Sequence, residues 1–437
     1  METSRETKLV TDYEREPVPV EKRKGWFRLS IVWLGAIIAL SAIILGGTLA
    51  GGMTITQAIT ASFIGTFLLA CLSAACGVVG AKTHLSTSLV SAFALGRYGS
   101  YAVSIVLAIA LFGWFGVQLD LFGHSLAQIM NTSFGVEINP KILVVVGGIL
   151  MTTTAVIGYK AIEKLSLVAV PLLGILIVAS LIKVASTGGG IRENLFGEPI
   201  SLGVAVSLII GSLAVGAIIG PDISRYAKSP KDAVISSFVG FFVGFSLVLI
   251  AAILLAKATT QVDIIAIMLG VGWGTGAMLV LILAQWTTND NNLYSSALGF
   301  SVIFKRMPKY QLTIIAGVIG TGMAIAGIYE NFIPFLIFLS ALIPPIGGIY
   351  VADYFVSKSK YSFENLDTIP ALQPVNIGVW VVASFAAFAT TPAPTGFGWF
   401  TLTGASGIDA FLIALVLQGI VSKVMQPKAL PALKTAK

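Results

Sequence analysis

The chain has 437 residues, of which 56% are hydrophobic and only 11% are charged, with a formal net charge of +7. A water-soluble domain of this length would need more charge to cover its surface, and the alternating short strands of an outer-membrane barrel are not seen. Runs of roughly 20 apolar residues recur instead, each long enough to cross a bilayer as a helix. The composition therefore predicts an all-α integral membrane protein surrounded by the lipid bilayer.

Twelve transmembrane helices are predicted from apolar runs between charged or Gly/Pro-rich breaks. They lie near residues 28–50, 55–80, 100–130, 142–160, 165–184, 202–224, 234–256, 266–304, 311–328, 332–354, 374–391 and 408–425. Of the 27 Lys and Arg residues, only Lys141, Lys183, Arg192 and Lys257 fall outside the termini and the even-numbered loops. The positive-inside rule then places both termini in the cytoplasm, in a multi-pass protein of the inner (cytoplasmic) membrane. The same bias explains the positive net charge without nucleic acid as a partner.

A single membrane domain is expected. The longest hydrophilic gap between spans runs from about 356 to 373, so no soluble domain is inserted. The membrane domain covers residues 28–425. Residues 1–27, which mix acids and bases without an apolar core, and residues 426–437 are predicted to be cytoplasmic tails.

Glycines interrupt the first and sixth spans in corresponding places, for example at Gly35 and Gly211. Many transporters consist of two inverted repeats whose first helices are broken at the substrate site. We therefore predict a five-plus-five inverted repeat with broken first and sixth helices. Its halves would be residues 28–184 and 202–354, followed by two additional helices in 374–425.

In the third predicted span, Trp114 and Gln118 lie one turn apart on one face near the membrane centre. An indole can stack on a flat heteroaromatic ring, and an amide can hydrogen-bond its edge. The alternative is structural: Trp114 fills a gap between helices, and Gln118 bonds a neighbouring carbonyl. The spacing favours a binding site for a small heterocyclic molecule.

A polar run, residues 285–292, interrupts the eighth predicted span near mid-membrane, where unsatisfied polar groups are costly. Its side chains divide between two helical faces, with Gln285, Asn289 and Asn292 on one and Thr287, Thr288 and Asn291 on the other. The first face could present amides to a substrate. The threonine hydroxyls, together with carbonyls freed by an unwound first helix, could coordinate Na⁺. Alternatively, both threonines bond back to their own helix.

Two carboxylates, Asp120 and Asp290, are also predicted within the membrane, where such groups are functional candidates. Asp120 either pairs with an amino group of the substrate or is a packing residue hydrogen-bonded across helices. If transport follows a proton gradient instead of sodium, these two residues are the candidates for the proton carrier.

The segment Trp286–Asn291, followed by Tyr294, Gly299 and Phe300, resembles the eighth-helix signature of bacterial cytosine permeases. These belong to the nucleobase:cation symporter-1 family. Further matching pieces are Gly113–Val117 and Ile343–Gly348, and the similarity covers nearly the whole chain. The resemblance implies a leucine-transporter-like fold with twelve helices and a five-plus-five repeat, and sodium-coupled uptake by alternating access.

Family site residues can be carried over where the motifs match. The resemblance implies substrate contacts at Trp114, at Asn289 and at the backbone of Gly211 and Ser212. It also implies sodium ligands at the carbonyls of Gly35 and Ile38 and at the hydroxyls of Thr287 and Thr288. Gln118 resembles the position at which hydantoin-carrying relatives place a glutamine.

The substrate pocket departs from cytosine permeases at three places. The chain has Ala39 where an aromatic residue is usual, Leu111 where Gln is usual, and Leu213–Val215 where a Phe-x-Ser pattern is usual. We therefore expect a planar nitrogen heterocycle that is a purine, a hydantoin-like ureide or a substituted pyrimidine, with cytosine still allowed.

The leading hypothesis is a secondary symporter that couples uptake of this heterocycle to Na⁺. Alternatives are a proton-coupled symporter for the same substrates and a membrane receptor without transport. An enzyme is not expected, because no nucleophile–base pair or metal cluster is visible in the sequence. The sequence leaves the oligomeric state open.

Overall fold

The computed structural model of the chain describes residues 16–157, 159–186, 192–262, 264–273, 275–301, 303–304 and 306–425. Within these ranges the secondary structure is helical, and the only β-type pairing is an isolated parallel bridge between Lys24 and Ala227. The all-α fold class is therefore confirmed for the described chain. Most of the N-terminal tail (1–15) and the whole C-terminal tail (426–437) lie outside the described residues.

Eighteen α-helices lie in the described ranges. They are α1 (Trp26–Ile37), α2 (Leu40–Gly52), α3 (Ile55–Thr83), α4 (Thr87–Leu95), α5 (Arg97–Phe134), α6 (Pro140–Ile157), α7 (Tyr159–Ser186), α8 (Leu202–Ile218), α9 (Gly220–Ser224), α10 (Pro230–Ser237), α11 (Phe245–Thr259), α12 (Ile264–Gly270), α13 (Thr275–Ser301), α14 (Lys309–Ile325), α15 (Phe332–Leu342), α16 (Pro344–Val356), α17 (Pro374–Thr390) and α18 (Ser406–Met425). A π-helical turn, Phe238–Gly244, joins α10 to α11.

Each predicted span coincides with one helix or with two or three consecutive helical segments; helix α4 falls between predicted spans. Six helices among the described residues are long and apolar enough to cross a bilayer. The number is seven if the bent pair α1 and α2 counts as one span. A helical membrane fold is thus confirmed. The count of twelve spans, the inverted repeat and the domain boundaries stay predictions.

The first predicted span is broken between α1 and α2, whose axes differ by 63°. At the break, the N–H of Ala39 donates to the carbonyl of Ile37, 2.8 Å away, instead of that of Gly35. The N–H of Ala42 likewise donates to the carbonyl of Ala39, 3.1 Å away, instead of that of Ile38. The carbonyls of Gly35 and Ile38 therefore lack the donors that a continuous helix would supply.

The sixth predicted span is kinked within α8, at Leu213, where φ is −124° and ψ is 17°. The kink directly follows Gly211 and Ser212. A Cβ atom on Gly211 would lie only 2.0 Å from the carbonyl oxygen of Leu336 in α15. Only glycine allows this close approach of two helix backbones. The sixth helix is therefore interrupted beside the residues that the sequence indicated.

The π-helical turn packs tightly against α1. A Cβ atom on Gly240 would lie 2.5 Å from the Cβ of Trp33, and one on Gly244 would lie 2.3 Å from the Cδ2 of Leu34. The rings of Trp33 and Phe241 are also in contact, with centroids 4.7 Å apart. Small residues permit such close helix packing in membranes. The packing fixes α1, which carries the Gly35 carbonyl and ends one residue before Ile38.

Helices α5 and α13 contact each other and run antiparallel. Near one end Gly299 of α13 lies against Ala108 of α5, whereas ten residues earlier Asn289 contacts Phe115. Higher residue numbers on α13 thus meet lower numbers on α5. This arrangement places the polar run of the eighth predicted span beside Trp114.

Candidate functional site

Trp114 on α5 is buried against two phenylalanines of α15. Its ring centroid lies 6.1 Å from that of Phe332 and 5.4 Å from that of Phe335, with interplanar angles of 72° and 80°. Such edge-to-face contacts are favoured by the ring quadrupoles. Gly113 allows the approach, because a Cβ atom there would lie 2.8 Å from the Phe335 ring. The sequence did not indicate either phenylalanine, since aromatic residues are common in apolar spans.

The two predicted substrate amides each keep a free acceptor. Gln118 is 1% exposed, and its Oε1 has no hydrogen-bond partner in the described protein. Asn289 is 0% exposed; its Nδ2 donates to the Phe115 carbonyl at 3.1 Å and to the Met151 sulfur at 3.3 Å. Its Oδ1 is likewise without a protein partner. The Asn289 amide is therefore anchored at its nitrogen, and both amides keep an oxygen that can accept from an N–H donor.

The threonine pair bonds back to its own helix. The hydroxyls of Thr287 and Thr288 both donate to the carbonyl of Ala284, each at 2.9 Å. This is the structural alternative that the sequence left open. It uses only the hydroxyl protons, so the lone pairs of both oxygens remain available to a cation. Ala284, whose carbonyl brings the two oxygens together, was not indicated by the sequence.

The predicted sodium carbonyls lie on the broken first helix. Gly35 is exposed, and a Cβ atom there would meet nothing within 4 Å; Ile38 is partly buried. Helix α13 contacts α2, the second half of this broken helix. The structure therefore has two sets of oxygens suited to an alkali cation, on two separate helices. Among the described residues, no cluster of His, Cys, Asp and Glu could hold a metal ion.

Helix α8, which carries the predicted substrate contacts Gly211 and Ser212, packs against α15. Gly211 of α8 lies against Leu336, on the helix that also supplies the two phenylalanines around Trp114. The Ser212 hydroxyl donates to the Ile209 carbonyl at 2.7 Å, close to the kink. Direct contacts thus join Trp114 to α15 and Asn289 to α5, and α15 joins this group to Gly211.

Asp290 belongs to a different group, in which it is bonded to a neighbouring helix. The hydroxyl of Thr154 on α6 donates to Asp290 Oδ1 at 2.8 Å and accepts from Trp286 Nε1 at 3.1 Å. Asp290 is therefore held by a neighbouring helix. Thr154 is a residue that the sequence analysis missed, although three consecutive threonines, residues 152–154, mark it as polar within a predicted span.

Asp120 is likewise engaged across helices. Its Oδ2 accepts from the Tyr329 backbone N–H at 3.1 Å, and its Oδ1 lies 3.4 Å from Nε2 of His124. Tyr329 belongs to the short turn that leads into α15. Of the two interpretations of Asp120, the structure favours a residue that positions α15.

Comparison with known proteins identifies the family. Residues 17–369 match the family described as permeases for cytosine/purines, uracil, thiamine and allantoin. The chain is 36% identical to a cytosine permease of Escherichia coli K12 over 353 residues, which cover 80% of this chain and 82% of the relative. It is 25% identical to a hydantoin permease of Microbacterium maritypicum over 403 residues, covering 84% of this chain and 81% of the relative.

The fold is also shared with a solved structure. The inward-facing conformation of Mhp1 matches with a TM-score of 0.80 at 19% sequence identity, covering 97% of this chain and 95% of Mhp1. The relatives are permeases and not enzymes. The chain therefore belongs to the nucleobase:cation symporter-1 family, whose model is described as permeases for cytosine/purines, uracil, thiamine and allantoin.

Proposed function

We propose that the protein is a secondary active transporter that imports a nucleobase or a related planar nitrogen heterocycle together with Na⁺ by alternating access. One observation carries the proposal: Trp114 lies at the depth of two buried amide oxygens, Gln118 Oε1 and Asn289 Oδ1, that the protein does not satisfy. The names of the relatives, a cytosine permease and a hydantoin permease, support this substrate class.

The substrate stacks on the indole of Trp114 and donates ring N–H groups to Gln118 and Asn289. A buried acceptor without a partner costs about 1–3 kcal/mol, so a ligand that supplies the donor recovers this free energy. A substrate of the proposed class, such as cytosine, a purine, a hydantoin-like ureide or a substituted pyrimidine, offers a flat ring and such donors. The backbone of Gly211 and Ser212 at the α8 kink provides the remaining contact.

Sodium would be held by oxygen atoms alone. The hydroxyl oxygens of Thr287 and Thr288 keep free lone pairs, and the carbonyls of Gly35 and Ile38 are released by the helix break. Carbonyls of unwound helices are typical Na⁺ ligands in transporters with broken helices. When bound, the ion supplies a positive charge that links α1 to α13.

Coupling follows from this link. A cation that binds one arrangement of α1 and α13 better than the other shifts the population towards that arrangement, and it raises substrate affinity if the same arrangement binds substrate. For an importer this is the arrangement that opens to the outside, where Na⁺ and substrate are both taken up.

The test is uptake into proteoliposomes with labelled cytosine, adenine, uracil, allantoin and hydantoin. Uptake of at least one compound should require an inward Na⁺ gradient and should fail when choline replaces Na⁺. The double variant Thr287→Val/Thr288→Val should need at least about tenfold more Na⁺ for half-maximal uptake, since two hard ligands are lost.

Thr313→Val is the matched control, because Thr313 is also buried and also bonds back to its own helix, at Lys309. It should leave the Na⁺ requirement unchanged. Uptake that does not depend on Na⁺ but follows a pH gradient would identify the proton, and not sodium, as the coupling ion. Binding without counterflow of labelled substrate would identify a receptor and overturn the transport proposal.

A further inference from the structure

Gln285 on α13 is a buried amide that the protein leaves unsatisfied. The side chain is 0% exposed, and neither Nε2 nor Oε1 has a hydrogen-bond partner. Among the described residues, no other buried side chain has two unpaired polar atoms. Buried polar groups are paired in nearly all native structures, and each exception calls for an explanation.

The antiparallel packing of α5 and α13 fixes the depth of Gln285. Asn289 donates to the carbonyl of Phe115, and Gln285 lies one helical turn before Asn289. One turn along α5 in the matching direction leads from Phe115 to Gln118 and Leu119. Gln285 and Gln118 are therefore at the same level of two contacting helices.

Three side chains with unpaired atoms lie within one helical turn of this level and make up a group of candidate ligand contacts. Gln118 contributes an acceptor, Gln285 contributes a donor and an acceptor, and Asn289 contributes an acceptor one turn away. A primary amide pairs in a two-point manner with a ring edge that carries an N–H next to a C=O or a ring nitrogen. The group offers this pairing at the edge of a ring that stacks on Trp114.

Two further buried amides among the described residues, both on other helices, do not share this arrangement. Gln418 on α18 has an unpaired Oε1, but its Nε2 donates to Ser422 at 3.0 Å. Asn376 on α17 has an unpaired Oδ1, but its Nδ2 donates to Ala94 and Gln373. In both, the protein engages the donor end of the amide, whereas in Gln285 both ends are left to a ligand.

We propose that Gln285 is a specificity-determining residue, which together with Gln118 hydrogen-bonds a lactam or amidine edge of the substrate, an N–H beside an acceptor. This inference rests on the proposed function, since it assigns a residue to the same substrate. Gln285 then favours binding of heterocycles that keep such an edge over binding of analogues in which the ring N–H is methylated.

The test compares Gln285→Met with wild-type protein in detergent. The best ligand of the wild type is first found by thermal shift among cytosine, adenine, uracil, allantoin and hydantoin, and its Kd is then measured beside that of its N-methyl analogue. Wild-type protein should prefer the unmethylated ligand by at least about tenfold, because buried polar groups left unpaired penalise the analogue strongly. In Gln285→Met this ratio should fall by at least about threefold, because one of the groups that bond this edge is lost while Gln118 and Asn289 remain.

Stability separates this role from a packing role. Since the protein does not satisfy the Gln285 amide, Gln285→Met should keep or raise the unliganded Tm. The control Gln418→Met removes a bonded amide of equal burial, so it should lower the Tm and keep the ligand ratio. Gln285→Asn, which retains the amide but withdraws it by one methylene, should give an intermediate ratio and provides a second variant if the first does not fold.

The outcomes are distinguishable. An unchanged ratio in Gln285→Met and Gln285→Asn, in particular with a lowered unliganded Tm, would assign Gln285 to packing and overturn the inference while leaving the proposed function intact. A wild-type protein that binds none of the heterocycles would overturn the proposed function, and the inference with it.

Discussion

Helix α13 presents two polar faces at the same depth, and they differ in what satisfies them. On one face, Trp286 and Asp290 are both bonded to Thr154 of α6. On the other face, Gln285, Asn289 and Asn292 each keep at least one buried polar atom without a protein partner. The first face is completed by the protein itself, which is what a structural network requires. The second keeps unpaired atoms that a ligand could satisfy, and this is where we propose that the substrate binds.

The comparison of the two faces also changes the role assigned to the Asp290 carboxylate. By composition alone, Asp290 is the more conspicuous candidate, because an intramembrane carboxylate is functional by default. In the structure it belongs to the satisfied face, and the neutral amides beside it remain open. Partner atoms on neighbouring helices therefore discriminate between function and packing better than the type of residue does.

The largest effect is expected from a substitution on the face with unpaired amides, and it concerns substrate affinity. Asn289→Leu should weaken substrate binding by about a hundredfold, because it removes an acceptor and the anchoring donors from a desolvated site. The Kd of the best ligand is the measurement. Asn376→Leu, which also removes a buried Asn whose Nδ2 is bonded to a carbonyl, is the control and should leave the Kd unchanged. Equal losses of affinity in both variants would remove the distinction between the two faces.

Next in size is the loss of the satisfied network. Thr154→Val removes the hydroxyl that joins Trp286 to Asp290 and should destabilise the protein by about 2–3 kcal/mol, since it leaves a buried carboxylate unpaired. Thermal unfolding in detergent measures this. Thr153→Val, at an exposed position bonded only to Ile149, should have little effect. The ranking of ligands should be the same in both variants, and a changed ranking would place the network in the substrate site.

A smaller change is expected from Asp290→Asn, which keeps an oxygen that can accept from Thr154. The loss of stability should be about 1 kcal/mol, and transport should keep its dependence on ion gradients. Uptake driven by Na⁺ and by a pH gradient should be measured in parallel. If the substitution abolishes uptake while ligand still binds, Asp290 is a coupling group, and the alternative of a proton-coupled symporter is correct.

The smallest effect lies outside both faces, at the end of α3. Partial burial, with the charge of Arg23 as a lesser cause, lowers the pKa of His84, whose Nδ1 lies 2.9 Å from the Arg225 carbonyl and donates to it in the neutral ring. Because the unfolded chain then takes up the proton first, His84 should destabilise the fold as the pH falls below about 6.5, its ordinary pKa. His84→Asn, which tolerates the left-handed backbone there (φ 54°), should flatten the decrease in Tm between pH 7 and pH 5. Parallel Tm curves for the two proteins would refute this.

The sequence by itself determined the class of fold. Bilayer thickness imposes long apolar runs, so the helices could be located to within a few residues, and glycines such as Gly35 and Gly211 indicated the two broken helices. It also determined the polar run on α13, because hydrophilic side chains stand out among apolar neighbours. The helix α4 was missed because its short apolar stretch is below the length of a span.

Only the tertiary structure decided which polar atoms are satisfied. The bonds that settle this join distant parts of the chain, as between Asn289 and Phe115 or between Asp290 and Thr154. Helical spacing assigns a residue to a face but does not specify which helix covers that face. The roles of Asp290 and Gln285 depend on that neighbour, because a buried polar group is stable only when another atom completes its hydrogen bonds.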